Sequence, residues 1–187
     1  MMNRCKTIRA AVAVGFLLTL VSLSARGQVL NSGASTISLN ANLAESVSVS
    51  LSANAVNFTL SPGSANNPGS TPITATTTWN LRPGRILVSL YAFFSSSTAA
   101  LTDGAGDNIP SSSFQISDNG GAFTALTNTV PFGGANAGLQ LANVFVLLGN
   151  RQGNRRDTMN FNINLSSQPN LPAATYTGTV TLQVQVI

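Results

Sequence analysis

From Tyr176 the chain alternates without a break: Tyr176, Gly178, Val180, Leu182, Val184 and Val186 on one parity, Thr177, Thr179, Thr181, Gln183 and Gln185 on the other. A period of two over this length specifies a strand with one buried and one wet face, which no helix can satisfy. The β-branched content suits a pleated, half-buried surface. Pro172 marks the corner before it. With Ile187 as the last residue of the sequence, the fold is expected to close around this strand, through the chain itself or through a partner.

The same period recurs upstream. Ile37, Leu39, Ala41 and Leu43, then Val47, Val49 and Leu51, share one parity, and Glu45 is the only charge among them, so two strands with a break near Ala44 and Glu45 are expected. Further strands are expected at Val56–Phe58–Leu60, at Ile73 to Leu81 with Trp79 inward, and at Ile86 to Phe94, an almost continuous apolar run that reads as a central strand. Phe114 and Ile116 lead into Asp118-Asn119-Gly120-Gly121, a hairpin signal. The parity of Leu139 and Leu141 switches to that of Val144 and Val146, which predicts a bulge near Ala142 and Asn143. Residues 149–156 read as a polar turn, and Met159, Phe161, Ile163 and Leu165 as the next strand. About eight to ten short strands and no amphipathic helix predict an all-β, antiparallel sandwich of the immunoglobulin-like Greek-key kind.

The start of the chain reads as a signal peptide: Arg4, Lys6 and Arg9, then the apolar residues 10–23, then small residues, with cleavage after Ser24 or after Gly27. The expected organisation is a signal at 1–27 and one domain at 28–187, of which 28–43 forms an N-terminal extension. The expected location is secreted, periplasmic or at the cell surface, with no membrane span after signal removal. Residues 28–187 hold five arginines and five acidic residues, so the basic character belongs to the leader and gives no argument for a nucleic-acid partner. Cys5 and Lys6 leave with the leader and the chain has no His. No disulfide can form in 28–187, so its stability must come from a packed core.

Without His, Cys or Lys, catalysis would rest on five carboxylates, three of them in loops and none in a context that suggests a raised pKa, so no enzyme is expected. Three sets of residues have the chemistry of a binding site. Asp103, Asp107 and Asn108 in a Gly-rich loop offer oxygens to a cation, against the plainer reading of a solvated turn, and no metal or other cofactor is expected. Arg151, Arg155 and Arg156 beside Asp157 match an anion, against a polar hairpin tip. Trp79, Tyr91, Phe93 and Phe94 match a sugar face, against core packing.

Leu171-Pro172-Ala173-Ala174-Thr175-Tyr176-Thr177-Gly178-Thr179-Val180-Thr181-Leu182 resembles the ending of spore coat protein U-like and pilin-like secreted domains, with Ala174 in place of the usual glycine and without the cysteines those domains often carry. The resemblance implies a secreted sandwich in which Tyr176 acts as a tyrosine corner. It also implies a non-enzymatic structural subunit of a fibre or coat, in some relatives assembled through a periplasmic chaperone by N-terminal strand exchange. A carbohydrate-binding or adhesive module is the alternative. Two readings of residues 36–43 stand open: a donor strand presenting Ile37, Leu39, Ala41 and Leu43 to a neighbour in a homo-oligomer or fibre, or a strand paired inside its own domain.

Overall fold

The computed structural model describes residues 32–187. The signal expected at residues 1–27 lies outside the described residues. The chain divides into two units, Met1–Ala41 and Asn42–Ile187. In the described part of the first, residues 32–41 form no helix or strand and all are exposed. No helix among the described residues is long and apolar enough to cross a membrane.

The second unit is all-β. Its strands are β1 (Ser46–Leu51), β2 (Ile73–Asn80), β3 (Leu87–Phe93), β4 (Leu101–Thr102), β5 (Asn108–Ile109), β6 (Phe114–Asp118), β7 (Thr124–Ala125), β8 (Gly138–Phe145), β9 (Gln152–Ile163) and β10 (Thr181–Val186). They form a five-stranded sheet in the order β1-β2-β9-β6-β7, a three-stranded sheet in the order β10-β3-β8, and the small pair β4-β5. Every pairing between these strands is antiparallel.

Ile73, Ala75, Ile116 and Met159 of the large sheet share one buried cluster with Leu90, Ala92, Leu139 and Ala142 of the other, so the two sheets face each other across a common core. Burial of Ile116, Met159 and Ile163 to 1% exposure or less removes most of their apolar surface from water, worth about 2 kcal/mol each. β3 is the middle strand of its sheet, and its outer face is covered as well. Phe132 packs edge-on to Tyr91 at 6.0 Å and tilted on Phe93 at 5.8 Å, which explains the continuous apolar run. Asn119 and Gly120 take positive φ (49° and 77°) at the β6–β7 turn, the geometry that the Asn-Gly pair favours. The β3–β8 register slips between Leu90 and Tyr91, which oppose Ala142 and Gln140, so Leu141 is the bulged residue.

Four strand assignments read from the sequence differ, the first at residues 37–43, which are exposed and form no strand, so they pair with nothing among the described residues. Residues 56–60 make no ladder beyond a bridge of Phe58 with Gly69. Residues 152–156 are not turn but the first half of β9, paired with β2 from Asn80 to Thr76. Their polarity is tolerated because Gln152, Asn154 and Arg156 face water. The last strand starts at Thr181, because Thr177 bridges Thr102 of β4 and diverts the chain from the line of β3. The strand expected at Val47 to Leu51 is present as β1, but Val47 and Leu51 are 40% and 44% exposed, since β1 is an edge strand whose inner face is only partly covered.

The sandwich has two distinct ends. One carries the entry to β1, the β2–β3 turn and the β8–β9 turn: Ser46 pairs with Asn80, Asn80 with Gln152, and Leu87 with Phe145. The other carries the long connections after β1, β3 and β9, together with the β4–β5 loop.

Candidate functional site

At that second end the two sheets part. A groove of about 720 Å³ opens between them, with Ile73, Phe94, Phe114, Met159, Phe161 and Ile163 lining it. These are residues of the main core, so the floor of the groove is the interior of the sandwich itself. One lip is the stretch 53–60 and the other the stretch 173–180. No charged side chain lines it.

Local sequence explains both lips. The first is anchored by Asn67, 1% exposed, whose side-chain amide donates to the carbonyls of Ile163 (2.8 Å) and Ser64 (3.0 Å) while its Oδ1 accepts from the Ser61 N–H (2.7 Å). Gly69 lies flat on the sheet, its N–H donating to the Phe161 carbonyl at 2.9 Å, and a Cβ there would meet a Val56 methyl at 2.6 Å. In the second lip, Thr177 exchanges two backbone bonds of 2.9 Å with Thr102. Gly178 lies against the Ala100 carbonyl so closely that no Cβ fits. The Tyr176 hydroxyl donates to the Pro172 carbonyl at 3.0 Å, closing the corner. Burial first, and then the charges of Asp107 and Asp103, hold this phenol above its ordinary pKa. Apart from the Thr102–Thr177 bridge, residues 175–180 stand outside any ladder, leaving backbone groups without a strand partner.

Of the donor-strand residues read from sequence, Ile37, Leu39 and Leu43 are 85%, 90% and 82% exposed, and Ala41 is exposed too. Glu45 ends this stretch: Arg85 donates to both of its oxygens, at 2.7 and 3.0 Å, and Arg82 stands at 3.5 Å. The Arg85 bond is the main cause that lowers the Glu45 pKa. The chain is thus pinned to the β2–β3 turn where it enters β1.

The other candidates fall apart in space. One carboxylate oxygen of Asp103 accepts backbone N–H groups of Ala105, Gly106 and Asp107 at 2.8 to 3.0 Å, the bonding of a turn, and the first of these bonds is the largest cause of its lowered pKa. Among the described residues no group of three or more acidic, His or Cys side chains could hold a metal ion. Trp79, Tyr91 and Phe94 are buried, and the Trp79 indole N–H donates to the Asn150 carbonyl at 2.9 Å.

The arginines do not form one cluster at a hairpin tip. Arg155 and Arg156 sit in β9 on opposite faces of the sheet, with Arg155 turned inward toward Asp157, 0% exposed. Arg155 Nε donates to Asp157 Oδ1 at 2.7 Å, and Asn119 bridges Asp157 and Asp118 at 3.1 and 3.2 Å. Thr77 Oγ1, Asp118 Oδ1 and Asp157 Oδ2 are buried without partners among the described residues. Burial first, then the charge of Asp157, raises the Asp118 pKa against the pull of Arg155, so one carboxylate does lie in a shifting context. The cavity beside Thr77 and Asp157 is about 10 Å³, room for one water and no substrate. A readable signal existed, because Arg155 and Asp157 share the parity of Met159, Phe161 and Ile163. The groove left no such signal, since its lips are irregular segments.

No protein-family model matches the chain, and no curated protein matches it.

Proposed function

We propose that this protein is a non-enzymatic structural subunit, exported from the cell, that assembles into a fibre or coat by strand addition. Residues 36–43 of one copy lie in the groove of the next. The observation that carries this reading is the groove itself, an apolar slot floored by the core and edged by backbone without a ladder partner, in a chain that also presents an exposed alternating segment. Ile37, Leu39, Ala41 and Leu43 then point to the floor, Ser38, Asn40 and Asn42 point to water, and main-chain bonds form along 175–180. Neither partner carries a charge to desolvate, because residues 28–44 contain none. The likeness of the Leu171–Leu182 ending to spore coat protein U-like and pilin-like domains supports an immunoglobulin-like sandwich and, before assembly, a periplasmic chaperone covering the groove.

The test is a chain lacking residues 28–43 and a synthetic peptide of residues 36–43. The truncated chain is expected to bind the peptide and to gain thermal stability from it, and a peptide with Leu39→Asp is expected to do neither. A natural protein that stays monomeric at every concentration, with a truncated form indifferent to the peptide, overturns the reading.

A further inference from the structure

The two ends of the sandwich differ in charge and in apolar exposure, and the differences are complementary. At the end where the chain enters β1, Ile86, Phe145, Leu147 and Leu148 are 62%, 74%, 70% and 84% exposed. They belong to one place: the Val146 N–H donates to the Ile86 carbonyl at 2.9 Å, and Leu87 pairs with Phe145. Isolated exposed apolar residues are ordinary, but four large ones on two adjacent turns mark a contact surface. Arginines rim it. Arg82 and Arg85 lie in the β2–β3 turn, and the Arg151 carbonyl accepts from the Leu81 N–H at 2.8 Å, against the single acid Glu45. At the groove end the charges are Asp103 and Asp107, in the loop whose Thr102 bridges the lip residue Thr177. The remaining charges among the described residues, Asp118, Arg155, Arg156 and Asp157, sit between the ends and cancel.

We infer that copies of this chain stack head to tail through a second contact, with the Ile86–Phe145–Leu147–Leu148 face of one copy seated on the groove mouth and the Asp103–Asp107 loop of the next. The occupant is a second copy of the same chain because the charge of one end answers that of the other, and because the exposed segment enters the sandwich at Glu45, beside this same apolar face. A segment leaving one end to fill a groove at the other end of a neighbour brings these two surfaces together. The contact is heterologous, so it propagates and does not close into a dimer. The inference rests on the strand-addition reading for its direction, but it adds contacts that the strand does not make, through the Ile86–Phe145–Leu147–Leu148 face and the Asp103–Asp107 loop.

Sedimentation velocity of the natural protein, with variants at both ends, tests it. Self-association is expected to weaken as salt rises from about 0.05 to about 0.5 M, where opposite charges are screened. Phe145→Asp and Leu148→Asp are expected to weaken it about tenfold or more, equivalent to about 1.4 kcal/mol, with melting temperatures unchanged. Arg82→Asp and Asp107→Arg are each expected to weaken it, and the two together to restore it. Wild-type association in Leu148→Asp, or a double charge reversal no better than either single one, overturns the proposal. Capture of the 36–43 peptide by the truncated chain is indifferent to Leu148→Asp, so failure of this contact and failure of strand addition give different results.

Discussion

Asp157 and Arg155 show how a few residues set the cost of an interior. A fully buried carboxylate is tolerated because Arg155 and Asn119 both donate to it, yet its second oxygen and the Thr77 hydroxyl find no protein partner. Removing one member of such a pair leaves the other uncompensated. Asp157→Ala is therefore expected to cost about 3 kcal/mol, read from urea denaturation. Asp118 is a carboxylate whose charged form folding disfavours. Its pKa is raised on folding, so the folded state holds the proton more tightly than the unfolded chain. Stability that it contributes is full below the ordinary value of 3.8 and is lost as pH rises from there through the folded value. Asp118→Asn is expected to raise the melting temperature at pH 7. The wild-type minus variant difference should vanish at acid pH. Because Glu45 and Asp103 have lowered values, they gain stability as pH rises toward their ordinary values of 4.5 and 3.8, next to the Asp118 window, so that difference is the quantity to read.

At the scale of elements, the groove exists because two connections do not become strands. The stretch 53–60 is tied down by Asn67 and Gly69, and the stretch 173–180 by the Thr102–Thr177 bridge and the close seat of Gly178 on Ala100. A side chain at 178 meets backbone, which cannot rotate away. Gly178→Ala is expected to destabilise by about 2 kcal/mol, seen as a lower midpoint in thermal unfolding, and to weaken peptide capture by moving the lip. The edge strands β1 and β10 matter for the same reason. An open edge over an apolar floor invites pairing, and the exposed segment 36–43 has the alternating pattern that the proposed strand addition needs.

Over the whole molecule, the long ladders that build the two sheets are non-local. β2 meets β9 through Ile73 and Met159, and β3 meets β10 through Val88 and Val186. Contacts this distant close large loops before they stabilise anything, so refolding after dilution from denaturant is expected on a scale of about milliseconds to seconds, measured by stopped-flow tryptophan emission from the buried Trp79. Residues 28–187 contain no cysteine, so the melting temperature of a chain of residues 28–187 is expected to be identical with and without reductant.

What the sequence determined by itself was the class of structure. Period-two alternation at 73–81, 114–118, 159–165 and 181–186 has one physical solution, an antiparallel sheet with an inner face, and the Asn119-Gly120 pair and the parity switch near Ala142 located a turn and a bulge to within a residue. These features are local, set by side-chain direction and backbone φ. What only the tertiary structure decided was where alternation stops meaning a strand. Tyr176 to Val180 keeps the pattern but follows Thr102 instead of β3, because the preceding corner and the Ala100 backbone set its path. Gln152 to Arg156 lacks an apolar pattern yet is strand, because β2 extends alongside it and backbone pairing does not require apolar side chains. The groove, the buried Asp157 and the opposed charges of the two ends follow from such long-range placements, since residues 40 to 100 positions apart have no local term that records their meeting.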